Sequence, residues 1–219
     1  RFGGHGAAFG ASTSTGLGLK YTADNGFASS ITVNSKGAEG ANGFLTTEDE
    51  NKVNVMAAYT QDNYHVSATY TTQSNDWDAW HYYSTDNIDG DNDADVDGWA
   101  LRGWWRPSET GTAMPTISVA YDYIDFGTGH DQNVDEGSGY AVGLMWYDMF
   151  QPDDRIGIAF GQPVKADSVT TGSLSEVDPF LWEAYYSFKV NDSVEVTPGI
   201  FGGTDVYDST ADDIFGAVL

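Results

Sequence analysis

The strongest constraint on this chain is a period of two. In Tyr64-His65-Val66-Ser67-Ala68-Thr69-Tyr70 apolar and polar side chains alternate, and only an extended strand sends successive side chains to opposite faces. Such segments recur along the whole sequence. They are expected at about 14–23, 27–36, 51–60, 64–73, 98–106, 116–126, 139–148, 155–162, 179–189, 194–203 and from 212 onward. The connections alternate too. Asp24-Asn25-Gly26, Gln61-Asp62-Asn63 and Asn191-Asp192-Ser193 are hairpin residues, because Asn, Asp and Gly tolerate positive φ. By parity, Phe150 to Asp154 and Pro107 to Pro115 fall at the same end. Gly37 to Glu50, Asn75 to Asp97, Thr128 to Gly137, Pro163 to Asp178 and Asp205 to Ala211 form the long connections at the other end. Two-faced strands with short turns at one end and long loops at the other describe an outer-membrane β-barrel. The expected fold is therefore all-β, an antiparallel transmembrane β-barrel of meander topology.

The two faces sort consistently. One carries Leu17, Leu19, Tyr21; Val53, Val55, Ala57, Tyr59; Trp99, Leu101, Gly103, Trp105; Ile117, Val119, Tyr121, Tyr123; and Phe180, Trp182, Ala184, Tyr186, Phe188. Its aromatics tend to fall at strand ends, where amphipathic rings suit the headgroup level. The other face mixes Gly, Ser, Thr and Ala with the charged residues Lys20, Arg102, Arg106, Asp122, Glu183, Lys189 and Glu195, the expected pore lining. In a soluble β-sandwich the assignment inverts, with the aromatic face as core. A regular alternation of short and long connections, and a polar face rich in small residues, favour the barrel.

Composition narrows the function classes. With 9 Lys and Arg against 33 Asp and Glu, a net charge of −24, the chain is unsuited to nucleic acid phosphates. Partners should be cations, neutral small solutes or basic surfaces, with membrane lipid against the aromatic face. There are no cysteines, which excludes a thiolate nucleophile and Cys-ligated zinc. No apolar run is long enough for a helical span. Residues 1–219 read as one domain, because no Pro- or Gly/Ser-rich linker interrupts the pattern.

Three stretches carry a resemblance to a known family. They are Trp99-Ala100-Leu101-Arg102-Gly103-Trp104-Trp105-Arg106-Pro107, then Met149-Phe150-Gln151-Pro152-Asp153-Asp154-Arg155-Ile156-Gly157, and Trp182 to Ser193 followed by Thr197-Pro198-Gly199-Ile200. Together they resemble cyanobacterial outer-membrane porins of the OprB-like, carbohydrate-selective porin superfamily. The resemblance implies a trimeric, water-filled barrel in the outer membrane that passes small solutes and inorganic ions passively, with no cofactor. It also implies an N-terminal S-layer-homology domain that grips cell-wall polymer. Nothing in this sequence matches that domain, and Ile214-Phe215-Gly216-Ala217-Val218-Leu219 is not the customary carboxyl-terminal strand ending in an aromatic. A partial barrel, cut from a longer protein, is expected.

The segment from Asn75 to Asp97 contains Asp86, Asp89, Asp91, Asp93, Asp95 and Asp97 after Trp77, Trp80, Tyr82 and Tyr83. It is expected to be a solvated acidic mouth or a constriction loop folded into the lumen. Calcium at Asp89, Asp91 and Asp93 is the alternative, since hard cations want many oxygens. The EF-hand pattern fails, however, with Ala94 in place of the turn Gly and Ala100 in place of the bidentate Glu. Arg102 and Arg106 have two expected roles, opposing the acidic loop across a lumen or pairing internally with Asp122 or Glu183. His5, His65, His81 and His130 lack ligand spacing, and no nucleophile elbow, phosphate-binding loop or HExxH is present. No enzyme is expected. The remaining alternatives are a soluble β-sandwich carbohydrate-binding module using Trp77 and Trp80, and an outer-membrane scaffold with a plugged lumen.

Overall fold

The computed structural model describes residues 15–36, 46, 50–74, 96–126, 134–169, 172–174, 178–205 and 213–219. These residues contain no helix. They form β1 (Thr15–Thr22), β2 (Phe27–Ser35), β3 (Asn51–Gln61), β4 (Tyr64–Ser74), β5 (Val96–Trp105), β6 (Thr116–Phe126), β7 (Val134–Tyr147), β8 (Arg155–Val169), β9 (Phe180–Asn191), β10 (Val194–Val196), β11 (Gly199–Thr204) and β12 (Ile214–Val218). All pair antiparallel in chain order, with β10 off the path and paired to β9. The result is a single open meander sheet, the topology of a partial barrel, whose edges among the described residues are β1 and β12.

Turn chemistry sets the register. Between β1 and β2 the Ala23 amide donates to the Phe27 carbonyl at 2.8 Å, and Gly26 adopts φ 92°. A Cβ there would strike the Thr60 carbonyl, so Gly26 permits both the turn and the close approach of β3. Asp62 and Asn63 alone join β3 to β4. At Asp192 and Ser193 the Asn191 side chain accepts from the Ser193 amide at 2.9 Å, an Asx turn.

Two prolines change the expected strands. Pro198 lacks an N–H, and it divides the expected strand 194–203 into β10 and β11. The register survives: Val196 faces Phe188, Gly199 faces Tyr185, and the Tyr186 amide donates to the Pro198 carbonyl at 3.0 Å. Pro163, expected to open a loop, instead lies inside β8, and β7 and β8 together form a hairpin that continues past the expected limits 139 and 162. Pro sits where the ladder shifts: Tyr140 faces Gln162, but Ser138 faces Lys165, one extra residue on β8. One extra residue flips every later side chain to the other face. Val164 and Ala166 thereby turn inward and join Val96, Ile124, Phe126 and Val134 in a buried apolar cluster, with Leu174 packed against it.

Burial distinguishes the two faces. Leu19 is 68% exposed and Val119 50%, whereas Asp122, three residues along the same strand as Val119, is 9% exposed and Lys52 on β3 is 4%. Removing apolar area from water is favourable by about 25 cal/mol per Å², so a water-soluble sheet would shelter the larger apolar side chains. Here the sheet shelters its small and polar side chains instead. Trp182 and Phe188, core residues in a sandwich, are only partly buried.

Candidate functional site: the sheltered face of the sheet

Rows across the ladder define the surface. One runs Thr60, His65, Trp104, Ser118, Gly143, Ala159, Glu183 from β3 to β9, and the next runs Ala58, Ser67, Arg102, Ala120, Ala141, Gly161, Leu181. Small side chains make a broad floor between two charged or aromatic margins. At Gly157 a Cβ would collide with the ring of Tyr185, so glycine lets that ring lie across β8.

Arg102 pairs with Asp122 at 2.7 Å, and the same nitrogen reaches the second carboxylate oxygen at 2.9 Å. Its other terminal nitrogen donates to the carbonyls of Leu101 and Tyr121 at 2.8 and 3.0 Å. The brace across β5 and β6 is therefore formed, and it satisfies a half-sheltered charge that would be costly alone. Glu183 takes no part in it. Arg106 makes no ion pair among the described residues; its Nε donates to the Asp62 carbonyl at 2.7 Å, and its guanidinium lies 5.4 Å from the centre of Trp104. His65 stacks on Trp104 at 6.0 Å and shares a hydrogen bond with Thr60 at 2.8 Å.

Toward the short turns the charges also pair. Arg155, on β8, bridges to Glu195 of β10, and the Ser187 hydroxyl donates to the same carboxylate oxygen at 2.7 Å. Lys189 reaches Asp153 at 2.7 Å. Lys20 stands opposite Ser30 and makes no ion pair among the described residues.

The β7–β8 turn was legible only as a short connection, yet it is highly organised. Asp154 is fully buried, and its carboxylate accepts from the amides of Met149, Phe150 and Gln151 at 2.7, 2.9 and 3.1 Å and from the Tyr186 hydroxyl at 2.9 Å. Burial alone would raise its pKa, but the amides of Phe150 and Gln151, then the Tyr186 hydroxyl and the Met149 amide, hold it below the ordinary value. The Lys189 ammonium does the same for Asp153. Asp148 and Asp153 carry positive φ, 57° and 66°, which Asp tolerates better than most residues. The motif Asp148 to Asp154 is a structural clamp.

Of the acidic series, Asp86, Asp89, Asp91, Asp93 and Asp95 lie outside the described residues, as do Trp77, Trp80, His5, His81 and His130. Asp97 belongs to β5 rather than to the loop expected to hold it. It faces Thr72 and Asp125 across the ladder and accepts from the Tyr70 hydroxyl at 2.8 Å, which puts it on the aromatic face. Among the described residues no group of three His, Cys, Asp or Glu is placed to hold a metal ion.

The outer face carries two aromatic levels. Tyr70 and Trp99 touch at 4.8 Å near the long connections; Tyr59 and Tyr64 at 6.1 Å, with Tyr186 and Phe188 at 5.2 Å, lie near the short turns. Between Trp99 and Trp105 the strand advances about 20 Å at ~3.3 Å per residue.

Comparison with known proteins adds one relative. An uncharacterized protein of Nostoc sp. (strain PCC 7120) is 28% identical over 123 residues, a match that covers 56% of this chain and 20% of that protein. This chain thus spans about a fifth of the relative's length. No family model matches, and no solved structure matches.

Proposed function

We propose that this chain is part of an outer-membrane porin of the OprB-like type, through which small hydrophilic solutes and inorganic ions diffuse passively. The observation that carries the proposal is the inverted burial: aromatic and aliphatic side chains are exposed on one continuous face, while Asp122 and Lys52 are sheltered on the other. In lipid the exposed face meets hydrocarbon, and every strand edge must be paired. The two edges that are unpaired among the described residues, β1 and β12, are then closed by further chain or by a neighbouring subunit. A homotrimer agrees with the family resemblance. Neither a cofactor nor a catalytic centre is part of the proposal, and any grip on cell-wall polymer belongs to a domain outside this chain.

One observation favours the scaffold alternative. The inward cluster of Val96, Ile124, Phe126, Val134, Val164 and Ala166 fills part of the sheltered face with apolar groups. Conductance separates the two readings. The full-length protein, extracted from outer membranes in detergent and added to a planar bilayer, is expected to give stepwise ohmic currents. A folded protein with no conductance would support the plugged scaffold, and a monodisperse protein without detergent would overturn both.

A further inference from the structure

Beside the Arg102–Asp122 brace the sheltered face opens into a trough of about 520 Å³, walled by Arg102 and Trp104 on one side and Glu183 and Tyr185 on the other, with Met145 and Tyr147 toward the short turns. Its floor is Ser118, Ala120, Ala141, Gly143, Gly157 and Ala159. The lining is largely apolar, and its charges are unevenly satisfied. Arg102 is matched by Asp122, and Arg155, next to the trough on β8, is matched by Glu195. The Glu183 carboxylate has neither an ion pair nor a hydrogen bond among the described residues. Arg106 occupies a face of Trp104 but lines the adjoining cavity of about 380 Å³ rather than this trough.

From this we infer that the trough is a binding subsite for a small organic cation. Its ammonium group is held by the Glu183 carboxylate beside the Tyr185 ring, and its apolar body lies over the glycine and alanine floor toward Trp104. Three features of the trough converge on that class. The unmatched charge is negative, so an anionic ligand would add a second unpaired charge. The apolar floor offers nothing to a bare, strongly hydrated metal ion, which wants several oxygens, but it rewards an apolar body with area removed from water. The neighbouring aromatic ring and the Met145 thioether suit a soft, weakly hydrated cation.

This inference rests on the porin proposal and deepens it by naming a solute class. The test is current block in planar bilayers by benzyltrimethylammonium, with benzyl alcohol as the neutral control, on full-length protein. The cation is expected to reduce single-channel current in a concentration- and voltage-dependent way, and the alcohol is not. Glu183→Gln should weaken the block by about tenfold or more, the scale of one charge-assisted contact. Glu183→Lys should abolish it. Ion currents unaffected by the cation, or blocked equally in wild type and in both variants with native heat-modifiable mobility on gels, would overturn the subsite while leaving the pore intact. Absence of any current would instead remove the porin proposal on which it stands.

Discussion

Val119 and Asp122 lie on one strand three residues apart, and their surroundings are opposite: the valine is half exposed, and the aspartate is sheltered and bound to Arg102. A soluble β-protein sorts residues the other way, because water rewards exposed charge and penalises exposed hydrocarbon. Side-chain type alone does not name the inside. Side-chain size goes with burial: the face rich in Gly, Ala and Ser is the sheltered one, and the face of Leu, Val and Trp is the exposed one; in the proposed porin these are lumen and lipid.

Exchanging the polarity of the two faces should have the largest effect. Val119→Arg puts a charge near mid-strand on the aromatic face and should cost about 2–4 kcal/mol of folding free energy in bilayers. Asp122→Asn should cost less, since an amide still accepts from Arg102, and should shift selectivity toward anions because the guanidinium loses its counter-charge. Urea unfolding in lipid vesicles measures the first effect and reversal potentials the second. Equal stabilities for the two variants would sink the face assignment.

The same comparison shows what was legible. Alternation survives wherever strands are regular, so strand positions, faces and hairpin turns could be read from β1 to β6 and across β9. It fails at Pro163. The extra residue there reverses the parity of Val164 and Ala166, and a fixed period of two carries no trace of a reversal that only the partner strand defines. The share of β8 in the inward apolar cluster was invisible for that reason, whereas Ile124 and Phe126 already share the face of Asp122 in the strand expected at 116–126. Pro198 was less disruptive because its carbonyl still accepts from Tyr186. At the candidate site, an internal pair of Arg102 with Asp122 or Glu183 was one of two expected roles, and the sequence left the partner open; Asp122 stands on the neighbouring strand β6, two residues from Ala120, which faces Arg102, and it takes the guanidinium. Asp97 looked like loop because the acidic series runs into it unbroken; pairing with Thr72 and Asp125 makes it strand.

A second contrast is between the ends, and pH sharpens it. The short-turn end is fixed by carboxylates that accept several hydrogen bonds, above all Asp154, whose folded pKa is depressed. A depressed carboxylate contributes stability that is fully present above the unfolded value, about 3.9, and lost as pH falls through the lower folded value. The β7–β8 turn should therefore hold from about pH 6 to below about pH 4 and loosen only in stronger acid. Asp154→Asn should lower the melting temperature at neutral pH and flatten the acid limb. Thermal melts across this range, followed by near-ultraviolet circular dichroism of Tyr186 and its neighbours, check it. An acid limb identical in wild type and variant would show that Asp154 does not carry the linkage.

Ion selectivity should respond more weakly. On the sheltered face Arg102 is cancelled by Asp122 and Arg155 by Glu195, and near the short turns Lys189 is cancelled by Asp153. Most of the net charge of −24 must then act from elsewhere, and the connections rich in aspartate hold much of it. In the proposed pore, charge in these connections would concentrate cations at the mouth, an effect screened within about 10 Å at 0.1 M salt and about 3 Å at 1 M. Lys20 and Arg106, without ion pairs among the described residues at the opposite end, oppose it. Reversal potentials should accordingly show a mild cation preference at low salt that fades at high salt and after replacement of Asp89, Asp91, Asp93, Asp95 and Asp97 by Asn. Anion preference at low salt would mean that Arg106 and Lys20 govern the passage, and that the wall matters more than the rim.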